Sequence, residues 1–182
     1  GRIAGGGVAA GDAVKILPSG QEAKVEHVCV GEAEQGRAGM GQSVTVTLQG
    51  EFDISRGDMI VEAEKPAEIA DQFRATIIWM DQSEMLPGRS YILKTEVSSV
   101  TATLVKPRYR INVNNYERQP ADTLALNDIA SCNISLDRAI AFDSYEANRT
   151  TGSFILIDPE TNATDGVGMI KFALRRSQNI HW

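Results

Sequence analysis

Apolar and polar residues alternate with a period of two over long stretches of this chain, and no stretch carries the 3.6-residue period of a helix. From Glu22 to Val30 the odd positions Ala23, Val25, His27 and Cys29 share one face and Glu22, Lys24 and Glu26 the other, the pattern of a half-buried antiparallel strand. Ser43 to Leu48 repeats it, with Val44, Val46 and Leu48 opposite Ser43, Thr45 and Thr47. Ala13 to Leu17 and Met59 to Val61 are shorter strands, bounded by Pro18-Ser19-Gly20 and by Asp53-Ile-Ser-Arg-Gly-Asp58. Val8 to Asp12 reads as a turn and Gly31 to Gly41 as an acidic, glycine-punctuated loop. Short strands spaced by Gly/Asp turns predict a small β-barrel.

Glu64-Lys65-Pro66-Ala67-Glu68 breaks the pattern and predicts a domain boundary, with a first barrel over residues 1–66. Pro66 is placed to start a single helical turn reaching about Gln72. Strands follow at Phe73 to Met80, Tyr91 to Thr95, Val100 to Val113, Ile129 to Leu136, Ile140 to Phe142, Phe154 to Ile157 and Gly166 to Ala173. Pro107 lacks a ladder donor, so Val100 to Val113 needs an edge position or a bend there. Phe154 to Ile157 is apolar at every position and is entered through Gly152 and closed by Asp158-Pro159, which suits a strand covered on both sides. The polar loop before it is long enough to wrap the end of a barrel. The expectation is an all-β chain of two consecutive small β-barrels, the second with about seven strands over 70–175, and a tail over 176–182.

At 182 residues and 42% hydrophobic, the chain is long enough to bury such cores. The net charge of −6 argues against nonspecific attraction to nucleic acid. Residues 1–68 hold 6 Lys+Arg against 11 Asp+Glu, whereas 69–182 hold 12 against 13, so the basic clusters fall in the second part. Two distant cysteines, Cys29 and Cys132, suit a reduced, cytoplasmic protein better than a disulfide framework. Three glycosylation sequons, at Asn133, Asn148 and Asn162, point the other way. No apolar run is long enough to form a membrane helix. The chain opens on Gly1-Arg2-Ile3-Ala4-Gly5-Gly6-Gly7 without a Met, as a piece of something longer would.

Chemistry-bearing motifs are few. Gly5-Gly6-Gly7 lacks the lysine and helix of a phosphate-binding loop and is read as backbone freedom at a barrel corner. His27 and Cys29, two mostly buried side chains on one strand, fall short of the three or four ligands that zinc needs. The second histidine, His181, lies in the tail, and no serine has an evident base. No catalytic, cofactor-binding or metal-binding residue is therefore assigned. The surface constellation is Lys106, Arg108 and Arg110, which alternate with Pro107, Tyr109 and Ile111 and would stand about 7 Å apart on one strand face. Such a row either grips an anionic partner or RNA, or is a solvated face that discourages edge pairing. Arg175-Arg176 is a second basic point.

The glycines and acids of Ala9-Ala-Gly-Asp-Ala-Val14, Ala38-Gly-Met-Gly-Gln-Ser-Val44 and Asp53-Ile-Ser-Arg-Gly-Asp58 resemble the second, β-barrel domain of translation-factor GTPases of the elongation factor Tu type. Asp71-Gln-Phe-Arg-Ala, Ile78-Trp-Met-Asp81, Leu86-Pro-Gly-Arg89, Leu126-Asn-Asp-Ile129 and Asn148-Arg-Thr-Thr-Gly-Ser-Phe-Ile-Leu-Ile-Asp158 narrow this. They resemble the large, GTP-binding subunit of bacterial sulfate adenylyltransferase (ATP sulfurylase), a group that includes the nodulation Q proteins of rhizobia. Asn179-Ile-His-Trp182 resembles the opening of a fused adenylylsulfate kinase domain.

The resemblance implies domain 2-like and domain 3-like barrels, the first lacking its first strand, with a GTPase domain holding GTP and Mg²⁺ upstream. It implies a whole enzyme that couples GTP hydrolysis to making adenylyl sulfate from ATP and sulfate, with adenylyl transfer carried by a small catalytic subunit. The barrels would then relay and dock, and Lys106, Arg108 and Arg110 become part of the contact with that subunit. The alternative is a pair of tRNA-binding barrels from a translation elongation factor, which would require a basic surface. A secreted carbohydrate-binding β-protein, the reading the sequons favour, lacks its usual aromatic platform at 6% aromatic content.

Overall fold

The computed structural model describes residues 1–174. They contain fifteen strands and no helix, in two compact units divided between Ala67 and Glu68.

In the first unit, β1 (Gly7–Ala9) pairs with β5 (Arg37–Gly39). A second sheet runs β4 (Ala33–Glu34), β3 (Gln21–Val30), β2 (Ala13–Leu17), β7 (Met59–Glu62), and β6 (Val44–Leu48) pairs with the second half of β3. Val8 to Ala9 and the Gly31–Gly41 stretch thus contribute strands where turn and loop were expected. Val14, Val25, Val28, Ala38 and Val44 form the core.

The strict alternation expected for β3 fails at one residue. A bulge lies between Val25 and His27, and one extra residue inverts the facing of all that follow. Val28 is fully buried in place of its neighbours. His27 is exposed, and its Nδ1 lies 2.6 Å from Glu34 Oε1 on β4. That hydrogen bond and the Glu34 charge raise the imidazole above its ordinary value. His27 and Cys29 are therefore not the pair of mostly buried side chains that the sequence implied.

The second unit closes on itself. Strands β10 (Ser99–Leu104), β9 (Ser90–Lys94), β14 (Ser153–Ile157), β15 (Thr164–Ala173), β8 (Glu68–Trp79) and β13 (Ile129–Phe142) are hydrogen-bonded in that order, and β10 pairs back onto β13. This six-strand barrel leaves no open edge along its wall. β11 (Tyr109–Ile111) and β12 (Arg118–Gln119) form a hairpin attached to the first residues of β13. Phe73, Ala75, Ile77 and Trp79 of β8 point inward and Arg74, Thr76 and Ile78 outward, the period of two that the sequence carries.

Three expectations in this unit are corrected. No helical turn follows Pro66, because Glu68, Ile69 and Ala70 pair with Phe142, Ala141 and Ile140. A backbone whose polar groups are taken by a ladder has none left for a turn. For the same reason Ile140 to Phe142 continues β13 across a register shift after Ser135 and is not a strand of its own. The run Phe154 to Ile157 is buried at Phe154 and Leu156 and half-buried at Ile155 and Ile157, so only one of its faces is fully covered.

Asn148-Arg-Thr-Thr-Gly-Ser builds the tight entry to β14. The Asn148 amide N–H donates to the Ser144 carbonyl at 2.9 Å, and Gly152 N–H to the Asn148 carbonyl at 2.9 Å. Asn148 Oδ1 accepts from the Thr150 and Thr151 amides, while the buried Thr151 hydroxyl donates to Asp143 Oδ2 at 2.5 Å. Tyr145 and Gly152 then bond Ile170 from both sides. This stretch is a folding device that holds β14 against β15.

Candidate functional site

The three cations picked out from the sequence do not share a strand. β10 stops at Leu104, Pro107 is buried, and pairing resumes only at Tyr109. Lys106 lies between the strands and forms an ion pair with Asp122. Arg110 sits on β11, with Nη1 3.3 and 3.4 Å from the two Asp128 oxygens and Nη2 3.2 Å from Gln119 Oε1. Asp128 Oδ2 also accepts the Ala125 amide at 2.9 Å. Arg110 thus ties the β11–β12 hairpin to the turn that enters β13. Arg108 is exposed, and its backbone N–H donates to the Ser131 carbonyl at 2.9 Å.

The acids that meet Lys106 and Arg110 arrive from 16 and 18 residues downstream, a separation at which no local pattern announces a pair. Solvent-exposed pairs of this kind contribute about 1 kcal/mol or less, so their weight is in geometry. They hold the hairpin over a shallow cleft of about 220 Å³, lined in part by Arg110, Asn112, Gln119, Asn127 and Asp128. Asn127, at φ 68°, turns the chain there. Of the three cations, Arg108 is the one that pairs with no carboxylate among the described residues.

A second charged cluster closes the β14–β15 turn. Asp158 Oδ1 accepts the Glu160 and Thr161 amides at 2.7 and 3.1 Å, and Arg89 Nη2 lies 2.5 Å from Oδ2. The Glu160 amide, then the Thr161 amide and Arg89, hold this carboxyl below its ordinary value despite its burial. Asp165 is pushed up, first by burial and then by the charges of Asp81 and Asp158. Cys132, in the barrel core, is pushed up to about 12 by burial alone, which leaves its thiol protonated and inert as a nucleophile.

GTP and Mg²⁺ find no fit among these residues. Gly5-Gly6-Gly7 leads into strand β1, with no lysine after it, and β1 lies close enough to β5 that a Cβ at Gly7 would stand 2.8 Å from the Ala38 carbonyl oxygen. That approach accounts for a glycine at position 7 without a phosphate. Among the described residues, no group of three or more His, Cys, Asp and Glu side chains is placed to hold a metal ion. Arg175, Arg176, His181 and the tail lie outside the described residues.

Residues 72–171 match the family described as GTP-eEF1A C-terminal domain-like. Over its whole length the chain is 47% identical to the bifunctional enzyme NodQ of Rhizobium sp. strain N33, and 44% identical to the bifunctional enzyme CysN/CysC of Xylella fastidiosa. Across 97% of its length it is 37% identical to sulfate adenylyltransferase subunit 1 of Saccharophagus degradans. It spans 28%, 29% and 38% of those three relatives. The crystal structure of Sup35 complexed with GDP superposes with a TM-score of 0.85 at 18% identity, over 96% of this chain and 43% of that one; at that identity the likeness speaks for the fold alone. The family match takes in more than half of the chain and the whole closed barrel except the ends of β8 and β15, and the protein belongs to the GTP-eEF1A C-terminal domain-like family.

Proposed function

We propose that this chain is the β-barrel portion of the GTP-binding subunit of a sulfate adenylyltransferase, coupling GTP hydrolysis to adenylyl sulfate synthesis and docking a small catalytic subunit. The observation that carries this reading is similarity over 97–100% of the chain, at 37–47% identity, to NodQ, CysN/CysC and sulfate adenylyltransferase subunit 1. GTP and Mg²⁺ are assigned to a GTPase domain outside this segment, and adenylyl transfer from ATP to sulfate to the small subunit. The assembly is a cytoplasmic heterodimer, and a fused adenylylsulfate kinase agrees with the word bifunctional in the names of two relatives. A closed, helix-free barrel such as that of the second unit suits a relay, because a rigid body carries a nucleotide-dependent displacement from one contact to another.

The competing reading, tRNA-binding barrels of an elongation factor, has the Sup35-like fold in its favour. Charge weighs against it: 24 acidic residues face 18 basic ones, and Lys106 and Arg110 are already paired with carboxylates. Lys106, Arg108 and Arg110 are assigned to the margin of the subunit contact, with Arg108 as the group available to a partner's carboxylate. The full-length protein is expected to co-purify with its small subunit. Arg108→Glu should weaken that association by up to about fivefold at low salt and by less at high salt, the scale of a marginal charge. Titration of the two purified subunits measures it, and failure of the wild-type subunits to associate would overturn the reading.

A further inference from the structure

The outer wall of the closed barrel is not the polar surface that a solvated β-face presents. Cross-strand register aligns Val167 of β15, Ile78 of β8, Ile129 of β13 and Ile111 of β11, and the row ends at Arg118 of β12. Partners in register share a face, so four half-buried β-branched side chains stand side by side on the outside of the sheet. The next row holds Met169, Thr76, Ser131 and Tyr109, and the third Phe172, Arg74 and Asn133.

Within this surface the polar groups are few and fixed. Arg118 lies over the Tyr109 ring at 4.7 Å and Arg74 over Phe172 at 5.2 Å. Arg74 Nε also donates to Asn133 Oδ1 at 3.1 Å. The Ser131 hydroxyl, in the second row, is buried and has no hydrogen-bond partner among the described residues. None of the three rows contains a carboxylate, although acids outnumber bases in the chain by 24 to 18. Two arginines held on aromatic rings beside a stripe of isoleucines make up the composition of an interface centre, rich in Arg and Tyr and poor in acids. Held in place by their rings, these arginines lose little side-chain entropy on binding.

We infer that this face, centred on Ile78, Ile129, Ile111 and Arg118, is the main docking surface for a protein partner that presents an apolar patch flanked by carboxylates. The inference rests on the reading above, and the partner is the small catalytic subunit. Arg108, immediately before β11 and with the opposite parity to Tyr109 and Ile111, stays at the margin. Lys106 and Arg110 serve to hold the hairpin that carries Tyr109, Ile111 and Arg118.

The test is titration of the small subunit against full-length wild type, Arg118→Glu, Ile111→Asp and Arg108→Glu, with thermal melting of each as the fold control. Arg118→Glu and Ile111→Asp are expected to weaken association about 30-fold or more, the scale of an interface anchor, against a few-fold for Arg108→Glu. Arg118 is an exposed hairpin residue, so its variant reports even if Ile111→Asp melts early. Wild-type affinity in Arg118→Glu would overturn the docking face and leave the subunit reading standing, whereas no association by wild type would remove both. Retarded migration of labelled tRNA by wild type, lost in Arg118→Glu while the small subunit still binds normally, would make this face a nucleic-acid surface and overturn the inference.

Discussion

Gly152→Ala is expected to prevent the second barrel from forming. A Cβ at that position would stand 2.5 Å from the Tyr145 nitrogen and 2.6 Å from Tyr145 Cα and the Ser144 carbonyl carbon. All three are backbone atoms, so no side chain can swing aside to relieve the overlap. Backbone displacement would break the two bonds at Ile170, from Tyr145 N–H to its carbonyl and from its N–H to the Gly152 carbonyl, and, with them, the docking of β14 on β15. The cost should be on the order of 4 kcal/mol or more, a large fraction of a domain's stability. Circular dichroism and thermal melting measure it. Gly88→Ala is the control, because a Cβ there meets nothing within 4 Å and only the positive φ of 86° is strained. A Gly152→Ala protein that melts no lower than Gly88→Ala would show that the loop gives way more easily than its packing indicates.

The second large effect is expected at Phe73. Its ring is fully buried and stands 5.3 Å from Phe142 and 5.8 Å from Phe154, the latter edge-on. It sits on β8, between β13, which carries Phe142, and β15, beyond which β14 carries Phe154, so the three rings link β13, β8 and β14 through the barrel interior. Phe73→Ala removes the central ring and leaves a cavity, costing about 3–5 kcal/mol. For a domain of this size the melting temperature should fall by on the order of 15 °C or more. Tyr116→Ala, at a residue 81% exposed, should leave it nearly unchanged. Equal melting of the two variants would contradict the assignment of this aromatic trio to the core.

The fold class was legible because period-two alternation and turn residues are local signals, and β2, β6, β9 and β14 lie where those signals put them. Departures arise where a distant partner decides. The start of β8 looked like a helical turn after Pro66, but its backbone is claimed by residues 140–142, some seventy positions away. The bulge in β3 leaves no mark in a run that alternates cleanly. Pro107 correctly marked a break, but the consequence for Lys106, Arg108 and Arg110 depended on Asp122 and Asp128, which only the folded chain brings near. The outer apolar row was half visible: Ile77-Ile78 and Ile111 place large aliphatic residues on faces that simple alternation would leave polar. Register was needed to show that they line up.

What the chain does for the whole protein is best tested by GTP-dependent formation of adenylyl sulfate. The full-length protein and its small subunit should release pyrophosphate from ATP only when sulfate is present, at a rate that rises with GTP, and Gly152→Ala in the large subunit should abolish the GTP effect. Sulfate-dependent turnover that is indifferent to GTP and to that substitution would contradict a coupling role for the barrels.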